Sequence, residues 1–329
     1  MPPAVAGPAA KAQRHGRAYN PLHRYPRQVR ELKVGLHIPQ IGATATPGVV
    51  EGFARAAEEA GFDSLWVFDH VVLPREQRTP YPSSDDGKIG YPHTSNLLEP
   101  LMLLPFVAAV TSRIAIGTSV LVLPMRQPVL HAKMLATLDH LSNGRLIAGL
   151  GTGWWKEEFE VLGVPFEHRG RRMDESIELM QALWRDEYAD FHGEFFHCEG
   201  WACNPKPVNG RIPIWIGGES PSQLRRVGRY ADAWHAGART LPNVPQLFEV
   251  AREAAAKAGR DASRLQLTLE GAAFLRGASM ERTAETLTSV AGIGVDHAIA
   301  ILDRAEYGEQ GEATIRLFGE RYLPAIHAL

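Results

Sequence analysis

A carboxylate and an imidazole stand side by side at Asp69 and His70, directly behind the apolar run Leu65-Trp66-Val67-Phe68. Such a run suits a strand buried on both faces. An acid and a histidine at its tip are badly placed to stabilise a core and well placed to meet a ligand. Imidazole titrates near neutral pH, so His70 is a candidate proton donor or acceptor, with Asp69 as the group that orients it. The alternative is a structural hydrogen-bonded pair. Three further segments are glycine-rich: Gly117-Thr118-Ser119-Val120, Gly149-Leu150-Gly151-Thr152-Gly153-Trp154 and Gly217-Gly218-Glu219-Ser220. Glycine lets a backbone come close to a flat or phosphorylated ligand, and its amide can cradle phosphate. Ser220 before Pro221 reads as a helix N-cap, and a helix N-terminus favours an anion. Gly217 to Ser220 is therefore the candidate phosphate site.

Other chemistries fit less well. Gly149-x-Gly151-x-Gly153 misses the dinucleotide fingerprint because Trp154 occupies the place of the third glycine, and a simple tight turn is the alternative. The Ser119 segment has Leu121 where a nucleophile elbow closes with glycine, which argues against acyl transfer. His-Glu-x-x-His and other clustered ligand sets are missing, so no metal is expected.

The elements that must position these residues alternate regularly. Residues 33–39 read as strand one, and Pro47 opens a helix that Gly61 closes. Strand two ends at Asp69-His70. Residues 114–122 form strand three, followed by a helix with Leu130, Met134, Leu138 and Leu141 on its inner stripe. Strand four is 145–150, and its helix carries Met173, Ile177, Met180 and Leu183 or Trp184. Strands five to eight are 213–216, 233–236, 265–269 and 297–302, with a final helix from about 312 to 326. Eight strands alternating with helices predict a single (β/α)8 TIM barrel with insertions over 31–329, whose C-terminal mouth gathers all four segments. A doubly wound open sheet is the second choice. Two connections are too long for turns: 71–97, a candidate lid or substrate wall, and 188–211, which contains a hairpin around Gly193. The second follows a helix, so the opposite face is open to it as well.

The chain has 329 residues, 45% hydrophobic, with net charge −2, which gives no footprint for nucleic acid or an acidic membrane. No apolar stretch is long enough to span a bilayer. Cys198 and Cys203 match no redox or zinc spacing and read as free thiols in a reducing cytoplasm. Residues 1–30 carry six Lys and Arg and no acid, without the apolar run of a secretory signal, and read as a basic tail.

Several ordered segments resemble the luciferase-like flavin and deazaflavin oxidoreductases. They are Gly61-Phe-Asp-Ser-Leu-Trp-Val-Phe-Asp-His70, Thr111-Ser-Arg-Ile-Ala-Ile-Gly-Thr-Ser-Val120, Asp139-x-Leu-Ser-Asn-Gly-Arg-Leu146, Gly151-Thr-Gly-Trp-Trp155, Arg172-Met-Asp-Glu175, Pro213-Ile-Trp-Ile-Gly-Gly218 and Ala231-Asp-Ala-Trp234. The likeness covers about 33–238 well and is closer to the coenzyme F420-dependent branch than to the FMN monooxygenases. It implies a bacterial luciferase-like barrel, commonly a homodimer, with the deazaflavin in the mouth. Asp69 and His70 would lie near the reacting ring. Ser119-Val120 would be a non-proline cis peptide behind it. Thr152 and Gly153 would touch the ring's polar side or ribityl chain, and Gly217, Gly218, Glu219 and Ser220 would hold the cofactor phosphate. The implied activity is hydride transfer between F420 and a small organic substrate. The alternatives are an FMN-dependent monooxygenase using reduced flavin and O2, and a non-catalytic flavin- or deazaflavin-binding barrel. In one respect the chain departs from its branch: sugar-phosphate dehydrogenases carry a catalytic Glu directly after Gly-Thr-Gly, where this sequence has Trp154. An aromatic substrate wall is expected instead, and Glu157 and Glu158 are expected to be helical and solvent-facing.

Overall fold

The apolar runs become strands because almost none of their residues has a solvent side. In a computed structural model, which describes residues 31–329, β1 (Lys33–His37), β2 (Ser64–Val67), β3 (Ala115–Thr118), β4 (Leu121–Val122) and β5 (Leu146–Gly151) are followed by β8 (Ile214–Gly217), β9 (Ala233–Gly237), β10 (Gln266–Leu275) and β11 (His297–Leu302). All pair in parallel. The third barrel strand is interrupted at a cis Ser119-Val120 bond, which separates β3 from β4. Pairing of β3 with β5 closes the sheet, so the fold is an eight-stranded (β/α)8 barrel and not an open doubly wound sheet. The expected basic tail, 1–30, lies outside the described residues.

The helices are α1 (Pro47–Glu59), α2 (Pro100–Val110), α3 (Pro128–Leu141), α4 (Lys156–Val161), α5 (Arg169–Arg185), α6 (Pro221–Tyr230), α7 (Val244–Lys257), α8 (Met280–Gly292), α9 (Glu309–Arg321) and α10 (Leu323–His327). Proline opens α1, α2, α3 and α6, where a missing N–H costs nothing and φ is already helical. The expected hairpin forms from β6 (Ala189–His192) and β7 (His197–Trp201), paired antiparallel. Its turn lies against the outside of α5, held by Glu175, which accepts from Glu194, Phe195 and Phe196 N–H.

Three sequence expectations need correction. In α3 the buried stripe is His131, Ala132, Leu135, Ala136 and Leu138; Leu130 is 57% and Leu141 70% exposed. Alanines let α3 approach the barrel closely, and an apolar residue on both sides of the helix left its rotation undetermined by pattern. β10 runs on to Leu275, six residues past the expected end. The last helix breaks at Tyr322, before Pro324.

Inside the barrel, Trp66 stacks on Trp215 with ring centroids 4.6 Å apart, and His297 stands edge-on to both. Glycine makes this possible. A Cβ at Gly117 would lie 2.5 Å from Trp66 Cζ3, and one at Gly35 would lie 2.3 Å from Ser64 Oγ. Ser64 Oγ bonds both Trp66 Nε1 and His297 Nε2 at 2.6 Å.

Burial pushes His297 down to about 3 and His131 down to about 4, with Lys33 and Arg126 respectively adding to the effect. Among the described residues, neither ring nitrogen of His131 has a hydrogen-bond partner. A lowered folded pKa means that stability is full above the unfolded value near 6.5. It is lost as pH falls below that, because only the unfolded chain takes up the proton until the folded pKa is reached. Between pH 7 and pH 5 each histidine is expected to withdraw about 2 kcal/mol. Urea midpoints at the two pH values check this. His131→Leu should reduce the loss, and equal wild-type midpoints would refute it.

Candidate active site

Strand β2 ends beneath a loop that folds back over the mouth. Its end is fixed by Gln40, which is buried: Phe68 N–H donates to Gln40 Oε1 at 2.8 Å, and Gln40 Nε2 donates to the Phe68 and Leu98 carbonyls. Beyond that point Asp69 and His70 diverge. Asp69 is buried and receives Arg126 through two guanidinium nitrogens, with Val122 N–H at 2.9 Å. Burial pushes its carboxyl up and Arg126 pulls it back. Arg126 also reaches Glu99 Oε1 at 3.2 Å. Asp69 therefore ties β2 to the chain just after the cis bond, and it does not orient His70 as the sequence reading had it.

The group that orients His70 is Glu158. His70 Nδ1 lies 2.9 Å from Glu158 Oε2, while the other carboxylate oxygen accepts from Val71 N–H at 2.5 Å. The next residue, Glu157, accepts from Arg78 N–H (2.6 Å), Thr79 N–H (2.9 Å) and Thr79 Oγ1 (2.5 Å). Burial raises the Glu157 carboxyl, but the Thr79 and Arg78 donors outweigh it and hold the group at about 2. Both carboxylates, expected in solvent, are buried. The reason is that the 71–97 segment lies across α4 and presents unpaired backbone N–H groups, which an anion satisfies. A carboxylate at Nδ1 keeps the neutral imidazole proton there and leaves Nε2 as the acceptor.

Aromatic rings surround His70. Trp154 stacks on Trp155 at 4.7 Å with 12° between planes, and His70 is edge-on to both, 6.0 and 5.2 Å away. Tyr81 adjoins Trp154 at 5.1 Å, and Tyr91 adjoins Phe68 at 6.3 Å. Burial raises both tyrosine hydroxyls, so both are neutral donors.

The glycine-rich strand ends receive the Val120 side chain. A Cβ on Gly151 would lie 2.5 Å from Val120 Cγ2, and one on Gly217 would lie 3.2 Å from Val120 Cγ1, so Val120 rests against bare backbone on two strands. Gly153 has φ +78, and its carbonyl accepts from Arg169 Nε at 3.0 Å. Thr152 is half-buried next to it. At the far end Gly218 has φ +100, a region that favours glycine, and Ser220 caps α6 by accepting from Gln223 N–H at 3.3 Å. Gly218, Glu219 and Ser220 are exposed.

Sequence reasoning missed the polar floor of the mouth. Glu270 Oε1 lies 2.8 Å from His37 Nε2, Ser119 Oγ donates to Glu270 Oε2 at 2.6 Å, and His235 Nε2 sits 2.8 Å from Ser119 Oγ. Burial raises the Glu270 carboxyl, but His37 and His235 more than compensate and hold it well below the usual range. One signal was available: His37, His235 and Glu270 each share an alternating face with an inward residue, Gly35, Ala233 and Thr268 respectively.

Against known proteins, the Luciferase-like monooxygenase family profile matches residues 34–324. A Mycobacterium tuberculosis protein described as uncharacterized is 36% identical over 207 residues, 63% of this chain and 71% of its own length. An F420-dependent glucose-6-phosphate dehydrogenase of Kineococcus radiotolerans is 32% identical over 230 residues, 68% of this chain and 63% of that protein. Among solved structures, an F420-dependent secondary alcohol dehydrogenase in complex with an F420-acetone adduct superposes with TM-score 0.70 at 19% identity, covering 90% of this chain and 99% of that one. With a closed parallel barrel and a profile that spans nearly all the described residues, this chain belongs to the luciferase-like monooxygenase family.

Proposed function

We propose that this chain is a coenzyme F420-dependent oxidoreductase that moves a hydride between the deazaflavin and a small organic substrate. The observation that carries the reading is the convergence, at one end of the barrel, of His70, the cis Ser119-Val120 bond seated against Gly151 and Gly217, and the Ser220-capped N-terminus of α6. A flat ring would lie against Val120 and the glycine-rich strand ends, and a phosphate fits the exposed Gly218 to Ser220 backbone at the positive end of the helix. Relatives named for F420 dependence support the deazaflavin over FMN. When bound, the cofactor supplies or accepts the hydride.

The chain's own residues do the rest. Ser119, Val120, Thr152 and Gly153 flank the ring. Gly217, Gly218, Glu219 and Ser220 hold the phosphate end. Glu270 fixes Ser119 through its hydroxyl. His70 holds or moves the substrate proton at Nε2, and Glu158 holds the ring in place through Nδ1. Asp69 is a positioning residue for the strand end and the Val122 backbone.

Quenching of cofactor fluorescence by the purified protein tests this. F420 is expected to bind at least about tenfold, or 1.4 kcal/mol, more tightly than FMN. A Cβ at Gly218 would meet Gln223 Cγ at 3.1 Å on a left-handed backbone. Gly218→Val should therefore weaken F420 while the barrel still melts cooperatively. Tighter FMN binding by tenfold would overturn the assignment.

The chain is further inferred to pair with itself. Helix α2, Pro-Leu-Met-Leu-Leu-Pro-Phe-Val-Ala-Ala-Val, is apolar on every side, and Met102 on its outer face is 72% exposed, with Phe106 beside it. Light scattering should give twice the chain mass, and a monomer would refute it. Among the described residues no helix is long and apolar enough to cross a membrane. Cys198 and Cys203 are buried free thiols, which suits the proposed cytoplasmic location.

A further inference from the structure

We propose that the substrate is a flat, uncharged aromatic compound bearing a ketone or a secondary alcohol next to its ring, and that Trp154 determines this choice. The inference rests on the deazaflavin reading above and names the substrate class of that same site.

The wall beside His70 is built from ring faces. Trp155 is buried, and Trp154, half-buried, is stacked flat upon it. Tyr81 closes in on Trp154 at 48° between planes, and Phe68 and Tyr91 continue the aromatic surface. Aromatic rings prefer offset or edge-on contact with other rings, and this arrangement offers both.

Several charged groups near this wall already have partners. Glu157 and Glu158 are taken up by loop N–H groups and His70. Arg239 bonds Asp85 at 2.7 Å, Arg276 bonds Asp303 at 2.8 Å, and Arg78 bonds Glu160 at 2.7 Å. A sugar phosphate would bring a multiply charged group against a wall of ring faces, whereas an uncharged ring needs no counter-charge there.

One polar function is still required, because His70 Nε2 is the proton-handling atom of the wall. In the reducing direction the carbonyl carbon gains a hydride, with its two electrons, from the reduced deazaflavin, and the carbonyl oxygen takes a proton from His70 Nε2. In the oxidising direction the alcohol C–H gives a hydride to the oxidised cofactor and the O–H proton goes to Nε2.

The test compares 1-phenylethanol, 2-propanol and glucose 6-phosphate as reductants of F420 with the purified enzyme. 1-Phenylethanol is expected to exceed 2-propanol in kcat/KM by about tenfold or more and glucose 6-phosphate by about a hundredfold. Trp154→Ala should shrink the aromatic-over-aliphatic ratio toward one, chiefly by raising KM for 1-phenylethanol, with F420 affinity retained. Calorimetric titration of the cofactor-free protein with acetophenone and with glucose 6-phosphate separates this proposal from the cofactor assignment. Saturable binding of acetophenone that is weakened in Trp154→Ala supports the substrate class even if F420 fails to bind. Better use or tighter binding of glucose 6-phosphate, or an aromatic preference untouched by Trp154→Ala, overturns it.

Discussion

His70→Ala is expected to lower single-turnover hydride transfer by roughly 10²- to 10⁴-fold, the range for loss of a general acid or base. F420 affinity and melting temperature should change little. Among the described residues the imidazole makes one polar contact, Nδ1 to Glu158, and it lies against the rings of Trp154, Trp155 and Phe68. Its removal leaves Glu158 with the Val71 N–H as partner, and the glycine-rich strand ends and the α6 N-terminus are unaltered. Glu158→Gln should act in the same direction but more weakly: it keeps an acceptor near Nδ1 but replaces a charge-assisted contact with a neutral one. The loss should fall on the single-turnover rate while F420 affinity and melting temperature hold, which a purely structural role for Glu158 would not cause. A folded, cofactor-loaded His70→Ala enzyme with a near-native single-turnover rate would remove His70 from the chemistry.

The adjacent residue should behave in the opposite way. Asp69→Ala leaves the Arg126 guanidinium in a largely buried site with only the more exposed Glu99 as counter-charge, and it frees the Val122 N–H. Breaking one side of a buried pair costs about 3–5 kcal/mol. For a chain of this size that is a drop of about 4–7 °C in melting temperature. Asp69→Ala combined with Arg126→Met should recover part of the loss, because the uncompensated charge is then gone. Thermal melts of the two single variants and the double variant decide the matter. A fully stable Asp69→Ala protein that no longer binds F420 would instead place the carboxylate against the cofactor.

The sequence alone determined the element plan. A four-residue apolar run before Asp69, prolines at helix starts, and glycines clustered at strand ends are local patterns. Each is set by a period of two or 3.6 residues, or by a backbone conformation that only certain residues adopt. Those rules need no knowledge of the rest of the chain, and they brought Asp69, His70, Ser119, Gly151 and Gly217 to one mouth. What pairs with what was decided by closure of the barrel. Glu158 meets His70 across 88 residues, and Glu270 meets His37 across 233. Neither spacing follows any local repeat. The rotation of α3, which exposes Leu130 and Leu141, was likewise undetermined while both sides of the helix carried apolar residues. Glu157 and Glu158 looked like a solvated helix start, and only the loop packed over α4 supplies the N–H groups that make their burial favourable. A buried charge is stable only where its partners converge, and that convergence is a property of the folded chain.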